Sequence, residues 1–163
     1  MARIIGIDPG LVKTGWGVIE ATNNSYKFIA CGTIRTNAEE ALALRLQHLH
    51  THLTAAIKLH APQEAAIEET FINTNALSSL KLGHARGALM LSLVLCGLTA
   101  SEYSTTAIKK TVTGAGRADK QQIGRVIQIL LPQAKCDSED AADALATAIC
   151  HANNRLARVL INR

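Results

Sequence analysis

No apolar run in this chain approaches the ~20 residues that a membrane-spanning helix requires. The longest candidate, Leu89 to Leu98, is interrupted by Ser92 and Gly97. Nor does the start resemble a secretory signal, because Met1-Ala2-Arg3 leads straight into a strand pattern. A cytoplasmic protein with no membrane partner is expected. Cys31, Cys96, Cys136 and Cys150 include no Cys-x-x-Cys pair, which argues against a zinc site or a disulfide framework. Buried free thiols in a reducing compartment are the expectation. Internal repeats, low-complexity tracts and linkers are also missing, so residues 1–163 read as one domain. Aromatic residues number five: one Trp, two Tyr and two Phe.

What is present is an ordinary globular composition, 48% hydrophobic. Arg3 to Asp8 is a short apolar run ending in Asp-Pro-Gly, a buried strand followed by a turn. Thr14 to Glu20 and Tyr26 to Arg35 continue it as a three-strand meander, turning at Asn23-Asn24-Ser25. Leu42, Leu46, Leu49, Leu53 and Ile57 recur at helical spacing, predicting a helix from about Glu39 to His60. A strand from Glu64 to Phe71, a long helix from Asn75 to Leu95 and a strand near Thr99 to Tyr103 follow. The last third is helical. Ser104 or Thr105 can cap a short helix through Thr111, and Asp119 a second one that Pro132 stops. A final helix spans about Ser138 to Asn153. A meander followed by alternating strands and helices predicts a five-stranded mixed α/β sheet, covered by helices on both faces.

The formal charge of +4 is modest, but its distribution is uneven. Between Asn73 and Cys136 eight bases face only Glu102 and Asp119, a surplus of six positive charges. Such a tract between acid-rich ends suits either a polyanion partner or a solvated basic surface. Four carboxylates stand out by position. Asp8 ends the first strand, Glu68 sits late in the fourth, and Asp140 and Asp143 share one face of the last helix. An acid within a buried strand is costly unless it is paired or metal-bound. Together the four could supply oxygen ligands for one or two Mg²⁺ ions about 3.5–4 Å apart, one activating water and one stabilising the leaving oxygen. They could equally be structural acids, since Asp140 and Asp143 also suit the first turns of a helix. Leu145 and Ile149 lie roughly opposite them, while the surrounding alanines would let either face approach a sheet. Glu68 and Glu69 point to opposite faces of their strand, so only one can meet Asp8.

The motifs that carry this chemistry resemble those of a known family. Gly6-Ile7-Asp8-Pro9-Gly10 with Thr14-Gly15-Trp16-Gly17-Val18-Ile19 resembles the opening of the RuvC resolvases. Ala66-Ile67-Glu68 is similar to their second acidic motif. Leu80-Lys81-Leu82-Gly83 with Ala85-Arg86-Gly87 is similar to their long-helix signature, and Asp140-Ala141-Ala142-Asp143-Ala144-Leu145-Ala146 to their last acidic motif. The resemblance runs in order from about Ile4 to His151. It implies a ribonuclease-H-like fold and a homodimer that places paired symmetric nicks across four-way DNA (Holliday) junctions in recombination and repair. Catalytic and metal-binding roles would fall to Asp8, Glu68, Asp140 and Asp143, with Mg²⁺ as cofactor and Mn²⁺ as a substitute. A RuvA–RuvB branch-migration complex is implied as partner.

The same resemblance implies that Lys109 and Lys120 contact DNA near the cleaved strand, each able to neutralise a phosphate. Lys81 is a further DNA-binding candidate, as are Arg86, Lys110, Arg117 and Arg125, each of which could instead be a solvated surface base. Phe71 is either an aromatic that stacks on an opened base or a core residue at a strand end. Gly83 and Gly87 permit close helix approach, and the family's use of this helix implies a dimer interface there. Gly114-x-Gly116-Arg117 lacks the spacing of a phosphate loop and reads as a connector. His48 and His52 sit one helical turn apart but have no acidic ligand beside them. Rival readings are a hybrid or transposon-end nuclease on the same fold, an actin-like kinase suggested by Gly6-Ile7-Asp8-x-Gly10, and a non-catalytic junction-binding module. The kinase reading needs two such domains, which 163 residues cannot hold.

Overall fold

The computed structural model describes residues 1–22, 25–70 and 75–161, with side chains through Arg155. The meander is present as β1 (Ala2–Asp8), β2 (Lys13–Thr22) and β3 (Ser25–Arg35). Then come α1 (Leu42–His60), β4 (Glu64–Glu68), α2 (Ala76–Leu95) and β5 (Ala100–Tyr103). Three helices complete the chain: α3 (Thr105–Thr113), α4 (Lys120–Leu130) and α5 (Glu139–Ile161). The sheet order is β3-β2-β1-β4-β5, with antiparallel pairs β1–β2 and β2–β3 and parallel pairs β1–β4 and β4–β5. This is the mixed sheet that the residue pattern predicts. Among the described residues no helix is long and apolar enough to cross a membrane.

Alternation along β1 divides the interior. Ile5, Ile7 and Val18 join Leu49, Leu53 and Leu89 on the side covered by α1 and α2. Ile4 and Ile19 join Ile108, Ile123, Leu145 and Ile149 on the side covered by α3, α4 and α5. The central element of that second layer is α5, which lies between the sheet and the helices α3 and α4. Ala141, Ala144, Leu145, Ala146 and Ala148 on it are all fully buried. The opposition of Leu145 and Ile149 to the aspartates therefore does not decide which way α5 faces, because the helix is enclosed on more than one side.

Glycines let α5 come down onto the strands. A Cβ on Gly6 would stand 2.1 Å from the Ala144 carbonyl oxygen, and one on Gly15 would stand 1.9 Å from that of Asp140. Both positions thus receive helix backbone that no larger residue would admit.

Several boundaries differ from the predicted ones. Helix α1 starts at Leu42 rather than Glu39, because Asn37 turns the chain first: its side chain accepts from the Glu39 N–H at 3.0 Å. Strand β4 ends at Glu68, and the turn at Asn23-Asn24 and residue Phe71 lie outside the described residues. The last helix runs to Ile161 rather than Asn153. Ser104 and Asp119 cap α3 and α4 as predicted, Asp119 within a capping box with Gln122. The four cysteines are free thiols, but only Cys150 is buried; Cys31, Cys96 and Cys136 are partly exposed. Their places explain the difference, since Cys31 is on an edge strand, Cys96 at a helix end and Cys136 in a loop.

Candidate active site

The parallel pairing of β1 with β4 sets Ile7 opposite Ile67, so the next residues, Asp8 and Glu68, emerge side by side at the strand ends. Both belong to the face that receives α5. Asp143 comes down from that helix and lines the same cleft, of about 170 Å³, together with Thr105, Lys109 and Lys120. Asp140 is one turn earlier on α5, with its carbonyl seated over Gly15. Of the two adjacent glutamates, Glu68 faces the cleft, while Glu69 is exposed and its backbone N–H extends the sheet toward Tyr103.

Electrostatics show how closely the acids are gathered. Burial, then the charges of Glu68, Asp143 and Asp140, push the Asp8 carboxyl up from 3.8 to about 8, against the pull of Lys120. Asp143 is raised to about 6, chiefly by burial, although Lys120 opposes the shift. Burial also raises Glu68, against a hydrogen bond from Thr105 and the charges of Lys109 and Lys120. Lys120 Nζ lies 3.6 Å from Asp143 and 3.8 Å from Glu139. The neighbouring carboxylates hold its ammonium above the usual lysine range even though burial pulls the other way. Among the described residues, no three or more Asp, Glu, His or Cys side chains are gathered closely enough to hold a metal ion as they stand. Asp8, Glu68 and Asp143 instead line one cleft with Lys109 and Lys120, and the Lys120 ammonium lies against Asp143.

Neighbouring residues fix these carboxylates in place. The Thr105 hydroxyl donates to Glu68 Oε1, holding one oxygen of that carboxylate. Thr14 Oγ1, fully buried, donates to the Gly10 carbonyl at 2.5 Å and braces the turn after Asp8. Buried Arg45 donates to Thr36 Oγ1 at 2.9 Å and to the Leu11 carbonyl at 3.4 Å, tying the same loop to α1. Residue types alone did not point to Thr105, Thr14 or Arg45. The signal for Thr105 was its place directly behind a helix cap, beside the end of a strand.

The basic candidates divide by location. Lys109 and Lys120 line the cleft, while Lys110 and Arg117 are exposed and do not line it. Arg86 pairs with Glu102 and donates Nε to the Glu68 carbonyl at 3.4 Å. Lys81 is exposed on α2. On the same helix a Cβ added at Gly83 or Gly87 would meet nothing within 4 Å, and both glycines line an open groove with Leu80 and Leu91. Gly114 takes a left-handed φ of 77° where it ends α3. His48 and His52 stack with ring centroids 4.1 Å apart, and His50 shares a 2.8 Å hydrogen bond with Ser92.

The strand order, with helices on both faces and acids at the ends of β1 and β4, defines a ribonuclease-H-like protein. Residues 4–151 match the family described as Crossover junction endodeoxyribonuclease RuvC. A protein of that name from Allorhizobium ampelinum is 54% identical, the match covering 94% of this chain and 90% of the relative. Another from Brucella suis is 50% identical, with coverage of 99% and 93%. The fold is shared with Thermus thermophilus RuvC, solved in complex with a Holliday junction substrate: TM-score 0.88, 24% identity, covering 96% of this chain and 97% of that one. The yeast mitochondrial Holliday junction resolvase Ydc2 gives a TM-score of 0.67 at 11% identity, with coverage of 93% and 78%. The chain belongs to the RuvC family of crossover junction endodeoxyribonucleases, which are metal-dependent nucleases.

Proposed function

We propose that this protein resolves four-way DNA junctions by paired symmetric nicks, hydrolysing phosphodiesters with Mg²⁺ held by Asp8, Glu68, Asp140 and Asp143. One observation carries the reading: three of these acids line one cleft with two lysines, and Asp8 is raised to about 8 by burial and by the other carboxylates. The donor set fits a hard divalent cation, because every ligand atom is a carboxylate oxygen and the mutual repulsion of the acids is what such a charge relieves. When bound, the cation supplies water activation and charge stabilisation at the phosphate. Mn²⁺, with the same oxygen preference, can substitute.

The chain's own groups do the rest. Thr105 fixes Glu68, and Lys109 and Lys120 present positive charge to the phosphates on either side of the scissile bond. Lys120 also holds Asp143 toward its charged form. Lys81, Lys110 and Arg117 extend a basic approach for the DNA arms, and Arg86 steadies the Glu68 backbone.

A homodimer accounts for paired nicks, since a twofold axis offers two equivalent clefts to two equivalent strands. The exposed apolar side of α2, with Leu77, Leu80, Leu91 and Val94 each more than half accessible, supports placing that contact at Gly83 and Gly87. A RuvA–RuvB complex as partner rests on family resemblance alone.

The test is Mg²⁺-dependent cleavage of a mobile four-way junction beside linear duplex and RNA–DNA hybrid, with wild type and Asp8→Asn. Symmetric nicks on the junction, lost in the variant, support the assignment. Preference for the hybrid, or tight junction binding without cleavage under any divalent metal, refutes it.

A further inference from the structure

Cys31 on β3 and Cys136, in the loop between α4 and α5, lie 105 residues apart in sequence, yet their sulfurs are 3.6 Å apart. The Cys31 thiol donates to Cys136 Sγ. Two flanking contacts hold the loop to the strand: Thr33 Oγ1 donates to Asp137 Oδ1 at 2.9 Å and lies 2.5 Å from Ser138 Oγ. Only Cys136 lines the open cleft of about 500 Å³ beside α4, which it shares with Lys135, Gln128 and Ser138. A small reagent thus has a route to Cys136 through this cleft, and the Cys31 sulfur is already in contact with it.

We propose that Cys31 and Cys136 form an oxidisable dithiol, a modification site at which a peroxide closes an intrachain disulfide between β3 and the loop leading into α5. Cys136 is the attacking group. The hydrogen bond from Cys31 lowers its thiol below the usual range, against burial and the charge of Asp137. The Cys31 thiol is raised, first by that same hydrogen bond and then by burial, so it keeps its proton and resolves second. The Cys136 thiolate attacks one peroxide oxygen and expels hydroxide, which takes up the proton that the Cys136 thiol had lost and leaves as water, and a sulfenic acid remains on Cys136. Cys31 sulfur then attacks the Cys136 sulfur; the hydroxyl leaves as water with the Cys31 proton, and the S–S bond forms. Two thiols are oxidised, one peroxide is reduced, and two waters result. The sulfurs must close from 3.6 Å to about 2.0 Å. The loop can supply that approach, whereas the start of α5 cannot, because the Asp140 carbonyl is seated on Gly15.

The experiment is titration of the folded chain with hydrogen peroxide, followed by alkylation of free thiols under denaturing conditions and peptide mass mapping. The expected result is selective loss of Cys31 and Cys136 labelling, and a cross-linked peptide pair lighter by two hydrogens. Dithiothreitol should restore the labelling, while Cys96 and Cys150 remain alkylated throughout. The oxidised protein should unfold at a higher temperature than the reduced form, and Cys31→Ser should abolish the cross-link and this stabilisation while Cys136 still oxidises, now stopping at the sulfenic acid. Cys136→Ser checks the order of attack: with the attacking thiol removed, no sulfenic acid should accumulate on Cys31. Overturning results are equal oxidation of all four cysteines, intermolecular disulfides only, or a Cys136 sulfinic acid formed while Cys31 stays labelled.

Discussion

Replacing Asp8 by Asn should stabilise the metal-free protein, and by an amount that depends on pH. The Asp8 carboxyl is raised from 3.8 to about 8 because its charge is buried among Glu68, Asp143 and Asp140. At about 1.4 kcal/mol per pH unit, full ionisation would cost the fold about 6 kcal/mol as a ceiling. The clustered acids share that cost among them, so about 3 kcal/mol is the working figure. The sign follows from linkage. With a folded value above the unfolded one, the native state holds the extra proton, and stability is lost as pH rises from about 4 through about 8. Wild type and Asp8→Asn should therefore differ least in EDTA at pH 5, where only about a quarter of the loss has accrued. By pH 9 the variant should lead by roughly 6–12 °C, at about 2–4 °C per kcal/mol for a chain of this size. Mg²⁺ should recover most of the gap for wild type and little for the variant. Scanning calorimetry at pH 5, 7 and 9, with and without Mg²⁺, reads all of this. An advantage for Asp8→Asn that is the same at every pH would show that burial and the neighbouring carboxylates do not raise the Asp8 carboxyl as described.

Glu68→Gln, Asp140→Asn and Asp143→Asn should each abolish junction cleavage while gel-shift binding persists; loss of folding in all three would undercut the catalytic assignment. Lys120→Ala should cut cleavage roughly tenfold or more, about 1.4 kcal/mol in the barrier. It should also lower the salt slope of junction binding by about one. In the same variant Asp143 should titrate above its present value of about 6, since Lys120 now lowers it, and an unchanged carboxyl NMR titration would refute the pairing. Gly15→Ala would place a Cβ 1.9 Å from the Asp140 carbonyl, so it should cost about 1–3 kcal/mol in denaturant unfolding and displace the acids. In Gly83→Leu the new Cβ meets no atom within 4 Å, so the monomer should stay folded and no less stable while self-association in sedimentation weakens. A folded variant that remains as dimeric as wild type would move the interface elsewhere.

Local pattern determined much of this protein. Alternation and apolar runs marked the five strands; the caps at Ser104 and Asp119 marked two helices; the ordered acidic motifs named the four carboxylates. Such features depend on near neighbours, so they survive without knowledge of the fold. Tertiary structure decided what depends on distant residues. Parallel register put Asp8 beside Glu68 rather than Glu69, and Gly6 and Gly15 let α5 settle close enough to bring Asp143 over them. A helical wheel could not orient α5, because a wheel assumes one buried side and this helix is enclosed on more than one. Thr105, Thr14 and Arg45 acquire their roles only through partners that the fold supplies, as does the thiol pair of Cys31 and Cys136, separated by 105 residues of chain. Spacing along a sequence records periodicity within an element. The distance between elements is set by how side chains fill the space between them.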